Sequence, residues 1–394
     1  MRGSRNRWPG RLKSRVVGLA ATAGMVIALT ITGTAMAGGA AGQTVHSGSA
    51  ASFPASLSGI DCRSLTDCVA VGANTPQMAN GLVAERWNGV RWSRSALPLP
   101  SGTTLVTVGE VACPAASDCV AVGSAYPSHE SGYAIAESWN GSRWSVRRAA
   151  TPGVSSTLFA ISCLAPGNCY AAGVYTPKGS SSEDPLIEHW NGSSWHQDAV
   201  PVPGRGTIFA EISDISCPTA AFCVAVGSTG AGAFVERWNG RTWTETTPPS
   251  AAGALLSGVS CSSVTSCFAV GLGATGNKSL VERWNGVKWS STDTPGPSAG
   301  NTAGLVSVSC LSSARCLAVG DFLGNGVYAV SWNGHTWQRV PVAATGGKLG
   351  AFGQLRCLSA TSCVALGATT SFAATQRSES VFWNGKSWKI VLTA

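Results

Sequence analysis

The chain is poor in charge. Charged residues make up 12% of its 394 positions, about half the share of an ordinary soluble protein. That excludes long amphipathic helices with charged outer faces. Gly, Ser, Thr and Ala fill the gap, as in a chain of strands and turns with a neutral polar surface. Histidine is scarce too. The five residues are His46, His129, His189, His196 and His335. His46 lies in a linker, and the other four stand at unrelated places. No C-x2-4-C spacing accompanies them, so zinc chemistry has no ligand set. Nucleophile elbows, calcium loops and glycine-rich phosphate loops are absent as sequence patterns. Cofactor expected: none; metal expected: none.

Net charge offers little more. The formal value is +8, from 27 basic and 19 acidic residues. Six of the basic ones (Arg2, Arg5, Arg7, Arg11, Lys13, Arg15) and no acidic one fall in residues 1–37. The remainder carries 21 against 19, or +2. A basic footprint for nucleic acid is missing. The basic head precedes an uncharged run from Val16 to Ala37 that ends in Ala35-Met36-Ala37. Basic head, apolar run and small-x-small site together read as a secretory signal over 1–37. The alternative is an uncleaved N-terminal anchor, because the run is long enough to span a bilayer. Residues 38–55 read as a flexible linker. The expected location is extracellular, with no membrane span after cleavage.

Against these shortages stands one abundance. Fourteen cysteines form seven C-x5-C pairs: Cys62 with Cys68, Cys113 with Cys119, Cys163 with Cys169, Cys217 with Cys223, Cys261 with Cys267, Cys310 with Cys316 and Cys357 with Cys363. Apart from Trp8, the 15 tryptophans form seven W-N-G-x-x-W pairs, which alternate with the cysteine pairs without exception. Residues 38–394 divided by seven give 51 per unit. Repeats run over about 56–104, 105–157, 158–210, 211–254, 255–304, 305–350 and 351–394.

Each unit reads as four strands. LFAISC (158–163) shows the first and CVAVG (223–227) the second. AFVERW (233–238) is the third and WTETT (243–247) the fourth. Asn-Gly between the tryptophans signals a hairpin. A two-residue type I′ turn at Asn239-Gly240 would pair Trp238 with Arg241 and Glu236 with Trp243. Four-stranded units at this period are propeller blades. The expectation is an all-β, seven-bladed β-propeller over 56–394, with one repeat per blade. Contact between the first and last blades would close the ring.

These motifs resemble the kelch repeat class. VAVG (69–72) matches its glycine-ended strand. Glu236-Arg237-Trp238-Asn239 stands where that class has Glu-x-Tyr-Asp, and Trp243 matches its following tryptophan. The units depart from it in having one glycine instead of two, Trp for Tyr, and the cysteine pair. The combination resembles secreted bacterial propellers of uncharacterised function. The resemblance implies architecture; it implies no activity, because the fold hosts many.

An oxidising compartment and facing hairpin positions make C-x5-C a local disulfide. Each closes a seven-residue ring, for which the chain-entropy model gives roughly 2 kcal/mol. Seven identical bridges in a seven-fold array read as structural rather than redox-active.

Cysteine loops and Asn-Gly turns share one face and never change length. Loops on the opposite face vary: 15 residues separate second Cys from first Trp in unit four, and 21 in unit three. Variable loops on a rigid scaffold are where contacts gather. The candidates there are Tyr126, His129, Tyr175, Lys178, Glu183, Asp184, Asp321 and Phe322. A carboxylate ring of Glu85, Glu137, Glu188, Glu236 and Glu282 is broken by Val330 and Val381. Those glutamates are expected to satisfy an indole or backbone N–H within the blade. Arg86, Arg237 and Arg283 face away from the tryptophans of their own blades and read as structural.

No catalytic residue is expected. The expected role is a secreted, monomeric, non-catalytic module that binds a glycan or extracellular protein. The rivals are an extracellular lyase or hydrolase and a structural envelope protein.

Overall fold

The computed structural model describes residues 55–74, 81–127, 131–150, 152–204, 208–275, 278–296, 303–322, 326–342, 349–369 and 378–392. The expected signal and linker, apart from Ala55, and His129 lie outside these residues. Among the described residues no helix is long and apolar enough to cross a membrane.

Seven four-stranded antiparallel sheets follow one another, each built from consecutive strands. Their strands span 55–96, 103–148, 155–197, 210–246, 255–291, 303–340 and 349–392, here blades 1 to 7. No strand is exchanged between the ends of the chain. The first strand of each blade touches the first strands of its neighbours, including blade 1 with blade 7. First strands therefore line the axis and fourth strands form the rim.

The same level of every blade carries one row across all four strands. In blade 1 it is Cys62, Cys68, Trp87 and Trp92, each opposite the next. Directly opposed side chains share a face. All seven expected disulfides are formed. Cys62 is bonded to Cys68, Cys113 to Cys119, Cys163 to Cys169 and Cys217 to Cys223. Cys261 is bonded to Cys267, Cys310 to Cys316 and Cys357 to Cys363. The paired indoles lie 5.3–5.7 Å apart in a tilted arrangement.

That register corrects the two-residue turn. Trp238 pairs with Trp243, and Glu236 with Glu245. The loop has four residues, closed by Asn239 N–H donating to the Thr242 carbonyl. Asn239 Oδ1 accepts from the N–H groups of Arg241 and Thr242. Gly240 holds φ at 91°, which a side chain resists. Asparagine is needed here for its side-chain acceptor, not for left-handed backbone of its own. The first tryptophan then reaches back to the cysteine hairpin: Trp238 Nε1 donates to the Ala220 carbonyl at 3.0 Å, and Trp87 Nε1 to that of Leu65 at 2.9 Å.

The glycine of VAVG answers to a bulge. In blade 4 the first strand carries an extra residue, Ser213, beside the position opposite Gly227. The other blades bulge at the same place. The bulge drives a carbonyl inward. A Cβ on Gly227 would lie 2.0 Å from the Glu211 carbonyl oxygen, and one on Gly123 2.0 Å from that of Thr107.

The core is not inside any one blade. It consists of seven apolar clusters, one at each interface. The cysteine and tryptophan face of a blade packs on the Val/Ala strands of the preceding blade: Cys267, Trp284 and Trp289 on Val224, Val226 and Val235. The second cysteine of the other pairs has the same place. Cys119, Cys169, Cys223, Cys316 and Cys363 are all buried, each in a different interface cluster. Cys68, Trp87 and Trp92 of blade 1 pack likewise on Val364 and Leu366 of blade 7. Every buried indole removes roughly 150–250 Å² from water. The ring thus closes with the same interface it uses throughout.

Candidate functional site

Two seams join each pair of blades, one near the axis and one at the rim. The axial seam is made by the residue before the first cysteine. Ser216 Oγ accepts from Cys261 N–H of the next blade, and Ser260 Oγ from Cys310 N–H, both at 3.0 Å. Ser162, Ser309 and Asp61 do the same for Cys217, Cys357 and Cys113. A second row lies two residues earlier. Glu110 Oε2 accepts from Ile161 N–H at 2.8 Å, and Asp214 Oδ2 from Val259 N–H at 2.7 Å. Where blade 7 carries Arg356, its Nε meets Asp61 Oδ1 at 3.0 Å.

Glu110, Asp214 and Gln354 belong to blades 2, 4 and 7, which are not neighbours. They meet across the axis, where Gln354 Nε2 donates to Glu110 Oε1. Burial, then the facing Asp214, pushes the Glu110 carboxyl well above its usual range. Burial pushes Asp214 up to about 7. Each of these carboxyls has its oxygens engaged by N–H groups of the ring, so the axis is a fastening.

The rim seam is built differently. A groove of about 330 Å³ lies between blades 2 and 3, lined by Arg147, Arg148, Trp190, Ser193, Ser194 and Trp195 among others. Its counterpart of about 340 Å³ lies between blades 4 and 5, with Arg237, Thr246, Thr247, Trp284, Lys288 and Trp289. Both have a wall made by the tryptophan pair. In both, an arginine of the preceding blade stands over the first tryptophan: Arg147 over Trp190 at 5.3 Å, and Arg237 over Trp284 at 5.6 Å. Arg147 is on a fourth strand and Arg237 on a third, so two sequence positions reach one place. Of the three arginines expected to face away from their own tryptophans, Arg237 and Arg283 cover those of the next blade, while Arg86 pairs with Asp67 at 2.9 Å. The same cover recurs between blades 5 and 6, where Arg283 stands over Trp332 at 5.3 Å, whereas Phe382 lies 5.4 Å from Trp87 between blades 7 and 1.

Two residues before the first tryptophan of each groove, on the same strand, stands a fully buried glutamate that does not itself line the groove. Glu188 Oε2 accepts from Ala150 N–H at 2.8 Å, and Glu282 Oε1 from Ser250 N–H at 3.1 Å. These backbone partners are in the connector from the preceding blade, not within the blade; Glu282 Oε1 also accepts from Ser291 Oγ of its own blade, and neither glutamate bonds an indole. Glu85 pairs with Arg94 at 2.7 Å. Glu137 and Glu236 find no hydrogen-bond partner for either carboxyl oxygen. Burial pushes Glu137 and Glu188 up to about 8, and burial with the nearby Glu245 does the same for Glu236. Glu188 Oε1, Glu282 Oε2, Arg237 Nε and Trp289 Nε1 are also buried without partners. The rim seam leaves polar atoms unanswered where the axial seam does not.

The variable-loop candidates fall into two groups. Tyr126, Tyr175, Lys178, Glu183 and Asp184 belong to adjacent blades 2 and 3, Asp321 and Phe322 to blade 6. Tyr126 OH accepts from Ser124 Oγ at 3.2 Å. Tyr175 and Phe322 pack against the interface clusters. The Glu183 backbone bridges to Ile208 and Ala210. Lys178 is exposed. Neither rim groove is lined by any of them. The disulfides stand apart from both groups: Cys119, Cys169, Cys223, Cys316 and Cys363 are sealed inside the interfaces and line neither groove. Local motifs do not show the grooves, because each is shared between two units. The one signal is the arginine recurring before the tryptophan.

No protein-family model matches the chain, and no curated protein does. Solved structures of similar fold exist. The BP39L lectin from Burkholderia pseudomallei is 12% identical, with a TM-score of 0.57 over 86% of this chain and 99% of that one. YCF48 bound to a D1 peptide is 15% identical, with a TM-score of 0.54 over 80% and 89%. A polysaccharide lyase, an ulvan lyase bound to a glucuronate–sulfated rhamnose saccharide, is 9% identical, with a TM-score of 0.53 over 84% and 92%. At such identities the likeness is one of fold: this chain is a seven-bladed β-propeller with a lectin among its structural neighbours.

Proposed function

We propose that this protein is a secreted, non-catalytic glycan-binding module whose sites are the rim grooves. The observation that carries the reading is the pair of equivalent grooves, each with an aromatic wall and two cationic side chains. Sugar rings present C–H faces to aromatic rings and hydroxyls to polar atoms, which is the usual make-up of a small-ligand site. The lectin of like fold adds to this reading. Seven disulfides fit the oxidising setting outside a cell.

The test is a binding screen of the oxidised protein against neutral and acidic polysaccharides, followed by calorimetry on any hit. Ser194→Trp and Thr247→Trp fill the two grooves from exposed positions and should together abolish saturable binding with the melting temperature kept. Binding lost instead on replacing loop 174–185 would move the site to the variable-loop face. Release of new chain ends from a polysaccharide would replace the binding module by an enzyme.

A further inference from the structure

The chain as a whole is close to neutral once its basic head is set aside, yet the rim grooves are not. The groove between blades 2 and 3 has Arg147 and Arg148 on one side. The acid two residues before its first tryptophan, Glu188, is fully buried, and burial raises its pKa to about 8, so near neutral pH it carries a proton and no charge. It therefore adds no negative charge beside the groove. The groove between blades 4 and 5 has Arg237 from one blade and Lys288 from the next. Glu282 stands two residues before its first tryptophan, with Oε1 held by Ser250 N–H and Ser291 Oγ.

The arginines are held against rings. Arg147 is fixed over Trp190 and Arg148 over Tyr133, at 5.3 and 5.0 Å. Arg237 is fixed over Trp284, and its buried Nε has no acceptor. A planar guanidinium stacked on a ring still offers in-plane N–H donors, the geometry suited to carboxylate or sulfate oxygens. A neutral sugar would leave these donors unanswered and would not reward two cations per groove.

We infer that the rim grooves select acidic saccharides, one carboxylate- or sulfate-bearing sugar to a groove, with the tryptophan wall packing its ring. This rests on the glycan-binding reading above and names the ligand class. With two grooves on one rigid ring, a long acidic polymer can bridge copies of the protein.

The oxidised protein would be titrated with polygalacturonate, dextran sulfate and uncharged dextran at two salt concentrations. The expected result is saturable binding of the acidic polymers that weakens as salt rises, with none to dextran. Arg147→Gln/Arg148→Gln combined with Arg237→Gln/Lys288→Gln should weaken it at least about tenfold, since charged hydrogen bonds are lost. Lys386→Gln, in the exposed turn of blade 7, should change nothing. Equal loss with Lys386→Gln would mean unspecific attraction and overturns the inference. So does acidic-polymer binding that survives all four groove substitutions. Binding of dextran that Ser194→Trp and Thr247→Trp abolish keeps the glycan site and removes the acidic selectivity. No binding to any glycan removes both.

Discussion

The axis and the rim of this ring solve one problem, joining two blades, with opposite chemistry. At the axis, serines of four blades accept from backbone N–H groups of the next. At the rim, large rings and an arginine do the joining, and several polar atoms remain without partners. A buried polar atom without a partner costs about 1–3 kcal/mol. Seams that keep such atoms hold a local deficit that the axis lacks. The same difference shows in sequence. The residue before the cysteine is serine in four blades, while what covers the first tryptophan is arginine, phenylalanine or tyrosine.

Three substitutions test this contrast. The largest effect is expected at the axis from Gly227→Ala. Its methyl would meet the Glu211 carbonyl, and the bulged backbone has little room to give. Overpacking of this kind costs about 3 kcal/mol, read as a lower midpoint in chemical denaturation. An unchanged midpoint would mean the bulge is soft and the axis less rigid than its bonding implies.

Next is Glu137→Gln at the rim seam. Burial raises the carboxyl to about 8, against an ordinary value of 4.5. Between those values the folded state keeps a proton that the unfolded chain releases. Stability contributed by this group is therefore full below pH 4.5 and falls as pH rises toward 8. The amide cannot ionise. Glu137→Gln should melt several degrees higher at about pH 8 and little differently at about pH 4.5. Parallel pH profiles for the two proteins would show that the carboxyl is solvated or paired.

The smallest is Ser260→Ala. It strips the acceptor from Cys310 N–H and should cost about 1 kcal/mol. The same loss at Ser162, Ser216 and Ser309 would show that the axial ladder acts evenly around the ring.

Much of this was legible in the chain itself. The disulfide partners, the four strands and the seven-fold count follow from motifs no longer than eight residues, because hairpins are local. The turn at Asn239 is ambiguous in sequence, since Asn-Gly fits both a two-residue turn and the opening of a four-residue loop. Only the pairing of Trp238 with Trp243 distinguishes them. The glycine of VAVG stands out as a pattern, but its cause, a bulge on the neighbouring strand, needs the register.

The blade is written in the chain's local pattern: cysteine and tryptophan pairs at fixed spacing dictate which side chains share a face. The seam arises only when the blades pack. Arg147 reaches Trp190, and Arg237 reaches Trp284, across more than 40 positions of chain and from different strands. No periodicity records that meeting. It depends on the angle at which one twisted sheet lies on the next, which packing of the whole interface sets.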